Sequence, residues 1–320
     1  MEDETPYFVN AFQDGVLDLF VPPGTYVINS LQMPDNARVH GAGRASVLKL
    51  AQGADNILLL GNGCTVTDLA LDGGGVGKDF TAGLVKCVSK SDIALERLSI
   101  SNTGYTGILT DHGERVRISN CAFSKVYRAV SLVFSNGVQV SGNTVTDCAE
   151  HGIVWWGNWK GEAKLSRDII ISGNYVRYGG AGAIWGTGAA RVSIVGNIVA
   201  TAKDVGIDAE WCDDITVSGN VVADAANAGI SLFYACTNAS ICGNTVVIPD
   251  AAEGLLRGIW LTDPNRKEMP DDHGHRNVAI FGNTITALDG EKSGIYIGAE
   301  SENVHLQANV LSNCTVVDNR

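Results

Sequence analysis

One phrase returns along this chain and limits what it can fold into: apolar-x-apolar-x-Gly-Asn-x-apolar. It reads VQVSGNTV, IIISGNYV, VSIVGNIV, ITVSGNVV, ASICGNTV and VAIFGNTI, followed by a worn copy, VHLQANVL. The asparagines are Asn143, Asn174, Asn197, Asn220, Asn244, Asn283 and Asn309, with separations of 31, 23, 23, 24, 39 and 26 residues. A period near 23 with occasional insertions marks a solenoid. IALERLSISN and VRISNCAF are earlier copies without the Gly-Asn pair. No leucine consensus and no sustained 3.6-residue periodicity is present, which excludes leucine-rich and helical repeats. The repeats are rich in Val and Ile with period-two alternation, and each carries a second strand: GILTD, AVSLV, GIVWW, AIWGT, GIDAE, GISLF, GIWLT and GIYIG. Two to three short strands per repeat predict an all-β protein, a single-stranded right-handed parallel β-helix of about ten coils, each rising about 4.8 Å. The asparagines are expected to stack inside the corners as a hydrogen-bonded ladder.

Aligning the second strands sets their register. Ile108, Val130, Ile153, Ile184, Ile207, Ile230, Ile259 and Ile295 form one column and should face the core. The next inward column is Thr110, Leu132, Trp155, Gly186, Ala209, Leu232, Leu261 and Ile297. A tryptophan beside a glycine and an alanine is the size compensation that constant core density requires, so Trp155 is expected inside.

Side chains two apart on a strand point the same way, so GIDAE presents Asp208 and Glu210 on one outer face. Their outward columns also hold Trp156, Trp185, Phe233, Trp260 and Tyr296. Aromatic surface of that extent around one acid pair marks a binding site. Two insertions, residues 157–167 and 263–276, leave the same sheet edge and would wall a groove with the acids on its floor. Indole and phenyl faces stack on sugar rings, and paired carboxylates serve glycoside cleavage: one protonates the leaving oxygen, the other activates water or attacks. Positions i and i+2 place the Cα atoms about 6.6 Å apart, which leaves retaining and inverting chemistry both open. The competing reading is a solvated acidic patch; the aromatic columns and the paired insertions weigh against it. Asp204 is a candidate third carboxylate and Lys203 a candidate base. Arg257 and Arg128 each precede a second strand; they read as surface arginines or as groups that could hold a carboxylated sugar. Asp213 and Asp214 read as turn caps, His151 as a residue bordering the site, and His273 and His275 as solvated.

The net charge of −12 argues against nucleic acid as a partner. No apolar run is long enough to span a membrane. The start, MEDETPYF, has no apolar signal core, while the implied substrate points to a secreted, virion or cell-surface protein. Residues 1–38 are expected to form an N-terminal cap, with a short amphipathic helix over 5–15, and the leading strands; residues 39–320 form one continuous β-helix. None of the eight cysteines lies in a CxxC pair, so they read as small buried thiols and not as a zinc site.

FVPPGTYVINSLQMPDNARVHGAGRASVLKL and LALDGGG, with the Gly-Asn repeats after them, resemble the pectate-lyase-like superfamily of right-handed β-helices, which holds polysaccharide-cleaving enzymes and phage tailspikes. The resemblance implies a carbohydrate-active protein with a polysaccharide or oligosaccharide as partner. It names no reaction, because that superfamily includes lyases, hydrolases, epimerases, esterases and fructotransferases. The chain departs from the separated Asp, Gly-His-Gly and Arg-x-Lys motifs of polygalacturonase-like hydrolases: its CDDI and HGH stand in another context. The expected activity is a glycoside hydrolase or transglycosylase using Asp208, Glu210 and Asp204, with no cofactor. A polysaccharide lyase or uronate epimerase is the alternative, and calcium would enter only there. A glycan-binding tail fibre or surface module, as a homotrimer, is the non-enzymatic reading.

Overall fold

The computed structural model describes residues 2–158, 163–250, 254–262 and 274–320. The chain is an all-β parallel β-solenoid, and its one helix among the described residues is Thr5–Gln13. It divides into two compact units, Met1–Ala149 and Glu150–Arg320.

In the first unit five turns each contribute one strand to the face that carries the second strands: Leu31–Gln32, Leu58–Leu59, Asp79–Val88, Tyr105–Asp111 and Arg128–Val133. The helix covers the leading turn. Glu4 accepts the Val27 N–H at 2.6 Å, and the Thr5 hydroxyl accepts that of Asn29 at 2.7 Å. Phe8 is buried edge-on to Tyr26. Strand groups that would otherwise lie open are satisfied by these side chains.

In the second unit seven turns contribute to the equivalent face: Ile153–Trp156, Ile184–Thr187, Val205–Glu210, Ala228–Phe233, Arg257–Leu261, Lys292–Ile297 and Cys314–Asp318. The total is about twelve turns where the repeats predict about ten, because residues 31–32 and 58–59 already belong to turns. All the pairings run parallel and in the expected register, Ile153 to Ile184 to Ile207 to Ile230 to Ile259 to Ile295. These isoleucines are fully buried, each stabilising the turn by about 1.5–3 kcal/mol. Trp155 is also fully buried, lying over Gly186; a Cβ there would stand 1.9 Å from the indole.

The Gly-Asn corner follows from two local demands. Gly173, Gly196, Gly219, Gly243 and Gly282 take φ between 62° and 65°, where a side chain is strained. Asn120 and Ala308 adopt φ of 54° and 53° at the same corner in the variant copies. The asparagines then run as a ladder. Asn220 Oδ1 accepts the Asn197 backbone N–H at 2.9 Å and its side-chain N–H at 3.0 Å. Its own amide donates to the Ile194 carbonyl at 2.9 Å and to Asn244 at 3.0 Å. The pattern repeats from Asn174 to Asn309. Of the eight cysteines, all free thiols, six are buried and two half-buried, as the repeat reading expects.

Candidate active site

The site lies within the second unit, on the strand Val205–Glu210. Ile207 and Ala209 join the core columns, so the pleat turns Asp208 and Glu210 to the outer face. They are nevertheless covered: Asp208 is 2% exposed and Glu210 8%. Sequence alone led to acids on an open groove floor. The structure differs because neighbouring turns lay large side chains across this face, and every residue of the strand is buried.

Trp185 pairs in register with Asp208, yet its indole N–H reaches Glu210 Oε1, two residues on, at 3.1 Å. On the next turn the Ser231 hydroxyl donates to Asp208 Oδ1 at 2.8 Å. One donor each does little against the loss of water. Burial first, and then the Glu210 charge, push the Asp208 carboxyl well above the usual carboxylate range, with Ser231 opposing. Burial also raises Glu210 to about 7, against the indole hydrogen bond, with Asp204 adding to the rise. The two acids titrate as a pair.

The remaining expected residues fall into three groups. Asp204 is half-buried at the head of the strand, where Asn227 donates to it at 2.6 Å, and Lys203 is exposed beside it. Trp156, Trp185 and His151 form one aromatic group: the Trp156 ring lies 6.0 Å from Trp185, and His151 stacks on Trp185 at 4.9 Å and 12°. Phe233, Trp260, Tyr296 and Arg257 form another. Phe233 meets Trp260 edge-on at 4.9 Å, and the Arg257 guanidinium sits 4.2 Å from the Trp260 ring and 3.8 Å from that of Tyr296. All five expected platform aromatics are half-buried, because they pack on one another, on the His151 ring and on the Arg257 guanidinium.

Sequence reasoning gave no role to three further neighbours. Ser231 stands beside Asp208 in the outward column, so the alignment contained it. Lys164, from the first insertion, places its ammonium on the Trp211 carbonyl and 3.7 Å from Asp213. Trp211 itself is buried and stacks on Tyr234 at 3.8 Å. Residues 159–162 and 263–273 of the two insertions, including His273, lie outside the described residues. Described parts of the first do border the site: the Leu165 N–H closes on the Gly157 carbonyl at 2.9 Å, and the Thr187 hydroxyl meets the Asn158 carbonyl at 3.4 Å. His275, expected in solvent, is fully buried, its Nδ1 accepting the Cys236 N–H at 3.3 Å.

A family model described as "Periplasmic copper-binding protein (NosD)" matches residues 62–247 and 160–320. No curated protein matches the chain significantly. Solved structures with a similar fold include the A-module of the Azotobacter vinelandii mannuronan C-5 epimerase AlgE4, at 15% identity and a TM-score of 0.72, covering 100% of this chain and 95% of that one. The Streptococcus pneumoniae surface adhesin PfbA shares 12% identity at a TM-score of 0.78, covering 99% and 88%. The catalytic unit of a GH87 alpha-1,3-glucanase from Streptomyces thermodiastaticus shares 14% at 0.68, covering 99% and 67%. These likenesses establish the right-handed parallel β-helix, consistent with the pectate-lyase-like superfamily.

Copper, named in the family description, needs several soft or imidazole donors brought together. Among the described residues no group of three or more His, Cys, Asp or Glu is arranged to hold a metal ion. Two soft donors next to the acid strand, Cys212 and Cys236, point their thiols at backbone carbonyls of Glu210 and Ala209, at 3.1 Å and 3.3 Å. Burial pushes Cys212 up to about 11 and Cys236 well above the usual thiol range, so neither is a ready thiolate in the metal-free chain. The described donor set does not fit copper.

Proposed function

The chain belongs to the family described as periplasmic copper-binding protein (NosD), and from that premise we propose that it acts on a polysaccharide or oligosaccharide at the turns around Asp208 and Glu210, as a glycoside hydrolase or transglycosylase. The observation that carries this reading is the pair of carboxyl groups buried together, one of them poised at about 7. A carboxyl that keeps its proton near neutral pH can donate it to a leaving oxygen, and a neighbour that has lost its own can activate water or attack the sugar. Asp208, the more deeply buried and raised by that burial, takes the acid role; Glu210 takes the other. Sugar binding would displace the half-buried indole of Trp185, and Trp156, Phe233, Trp260 and Tyr296 would stack against neighbouring sugars. Asp204 and Lys203 would border the reacting bond at the head of the strand. Support also comes from the epimerase and the glucanase of like fold, which by their names act on carbohydrate, and from the family description, which fits a protein outside the cytoplasm.

A second reading, a uronate epimerase or lyase, is favoured by Arg257, whose guanidinium between two rings could offer its N–H edges to a sugar carboxylate. Calcium belongs to that reading alone. One experiment separates them. A polysaccharide panel is incubated with the wild type, Asp208→Asn and Glu210→Gln, and products are weighed by mass spectrometry. One water gained per cleaved bond, with turnover falling about 10²–10⁴-fold in each variant, is the expected result. An ultraviolet-absorbing unsaturated product, or an epimerised uronate of unchanged mass, decides for the second reading. Tight binding by a trimer with no product would make the protein a glycan-binding module.

A further inference from the structure

We propose that His151 is a positioning residue for Glu210, acting through the indole of Trp185. The inference rests on the acid-pair reading for its consequence, but its geometry stands apart from any substrate. His151 lies just before the strand Ile153–Trp156, and its ring stacks on Trp185 at 4.9 Å with only 12° between the planes. The ring is held from behind by one backbone segment: its Nδ1 sits 3.0 Å from the Gly182 N–H and 3.2 Å from the Gly182 carbonyl. The approach is close: a Cβ on residue 182 would stand 3.1 Å from that nitrogen. Trp156, from the same turn as His151, also approaches Trp185, at 6.0 Å and a 38° tilt. The indole therefore packs against two rings of the preceding turn, with its N–H donated to Glu210 Oε1 at 3.1 Å.

An N–H donated to a carboxylate favours the ionised form, so the indole opposes the burial that raises Glu210. Other groups among the described residues also bear on this strand. Asp208 shares its strand, and Asp204 lies just before that strand. Cys212 follows it and stays a thiol. Ser231 and Phe233 come from the next turn, and Lys164, on the Trp211 carbonyl beside Asp213, from the first insertion. Only Trp185 offers Glu210 a direct side-chain hydrogen bond among those observed. His151 fixes the plane of that indole, and so fixes how much of the donor Glu210 receives.

The test uses the full chain with ¹³C-carboxyl-labelled glutamate and follows the Glu210 titration by NMR, with Trp185 indole ¹⁵N–H as a second probe. Trp185→Phe should raise the Glu210 midpoint by about one pH unit, the scale of a lost charge-assisted hydrogen bond. His151→Ala should raise it by a comparable amount and shift the indole resonance. His151→Phe, which restores a flat ring, should return most of the shift. The double variant His151→Ala, Trp185→Phe should move no further than Trp185→Phe. Gly182→Ala, which crowds His151 without touching either partner, keeps the test open should His151→Ala fail to fold. A wild-type midpoint in His151→Ala, or shifts that add in the double variant, overturns the relay. A normal relay in a protein that yields no carbohydrate product sinks the proposed function and leaves this inference standing.

Discussion

Two columns of buried polar side chains run through the turns of the second unit, and they meet the same difficulty in opposite ways. In the Gly-Asn corner each asparagine finds its partner in the next copy of itself. Asn220 alone makes four side-chain hydrogen bonds, to Asn197 twice, to Ile194 and to Asn244. On the outer face, Asp208 and Glu210 are buried almost as deeply with one observed side-chain donor apiece, and both hold their protons more tightly than usual. Repetition satisfies polar groups because the required partner recurs at each turn. A site that occurs once has no such partner, and the unmet polarity becomes altered proton affinity. In this solenoid the ladder stabilises the turns, and the acid pair draws on that stability.

The comparison can be broken at four points. Asn220→Ala should cost the most, about 4 kcal/mol in urea unfolding, since it orphans the Asn197 N–H and the Ile194 carbonyl inside the corner. The acid pair should show the reverse sign. Glu210 moves from 4.5 to about 7 on folding, so the folded chain keeps a proton that the unfolded chain gives up across that window. Its contribution is therefore intact below 4.5 and is lost as pH climbs to about 7, by about 3 kcal/mol. Glu210→Gln should match the wild type in apparent melting temperature near pH 4.5 and exceed it at pH 8; equal melting at both would contradict the burial argument. Gly186→Ala drives a Cβ to within 1.9 Å of the Trp155 indole and should destabilise by about 2 to 3 kcal/mol, with Trp155→Leu restoring much of it. The smallest change is Gly219→Ala, which meets no atom within 4 Å yet must hold a φ of +63°. It should cost about 1 kcal/mol, and Gly219→Asn less, since asparagine tolerates that region; thermal melts of the pair would separate strain from crowding.

Repeat period, strand alternation and column register were readable from the residues, and so were the core place of Trp155 and the asparagine ladder. Each of these depends on a pattern that recurs, and recurrence in a solenoid converts sequence separation directly into contact. The outward direction of Asp208 and Glu210 was readable for the same reason. Their burial was not. It depends on Trp185 leaning across to a residue two places along the neighbouring strand. It depends also on His151 stacking behind that indole. Arg257 likewise read as a surface arginine at the start of the strand Arg257–Leu261, and the fold lays it over Trp260 and Tyr296.

Taken alone, the amino-acid order settled the solenoid and the face on which each side chain stands, because a two-residue pleat and a near-constant repeat leave no other register that buries the isoleucines. Only the folded chain settled how deep the two acids lie and what donates to them. Rotamers of large rings are chosen by the neighbours on adjoining turns, and those choices do not repeat with the sequence.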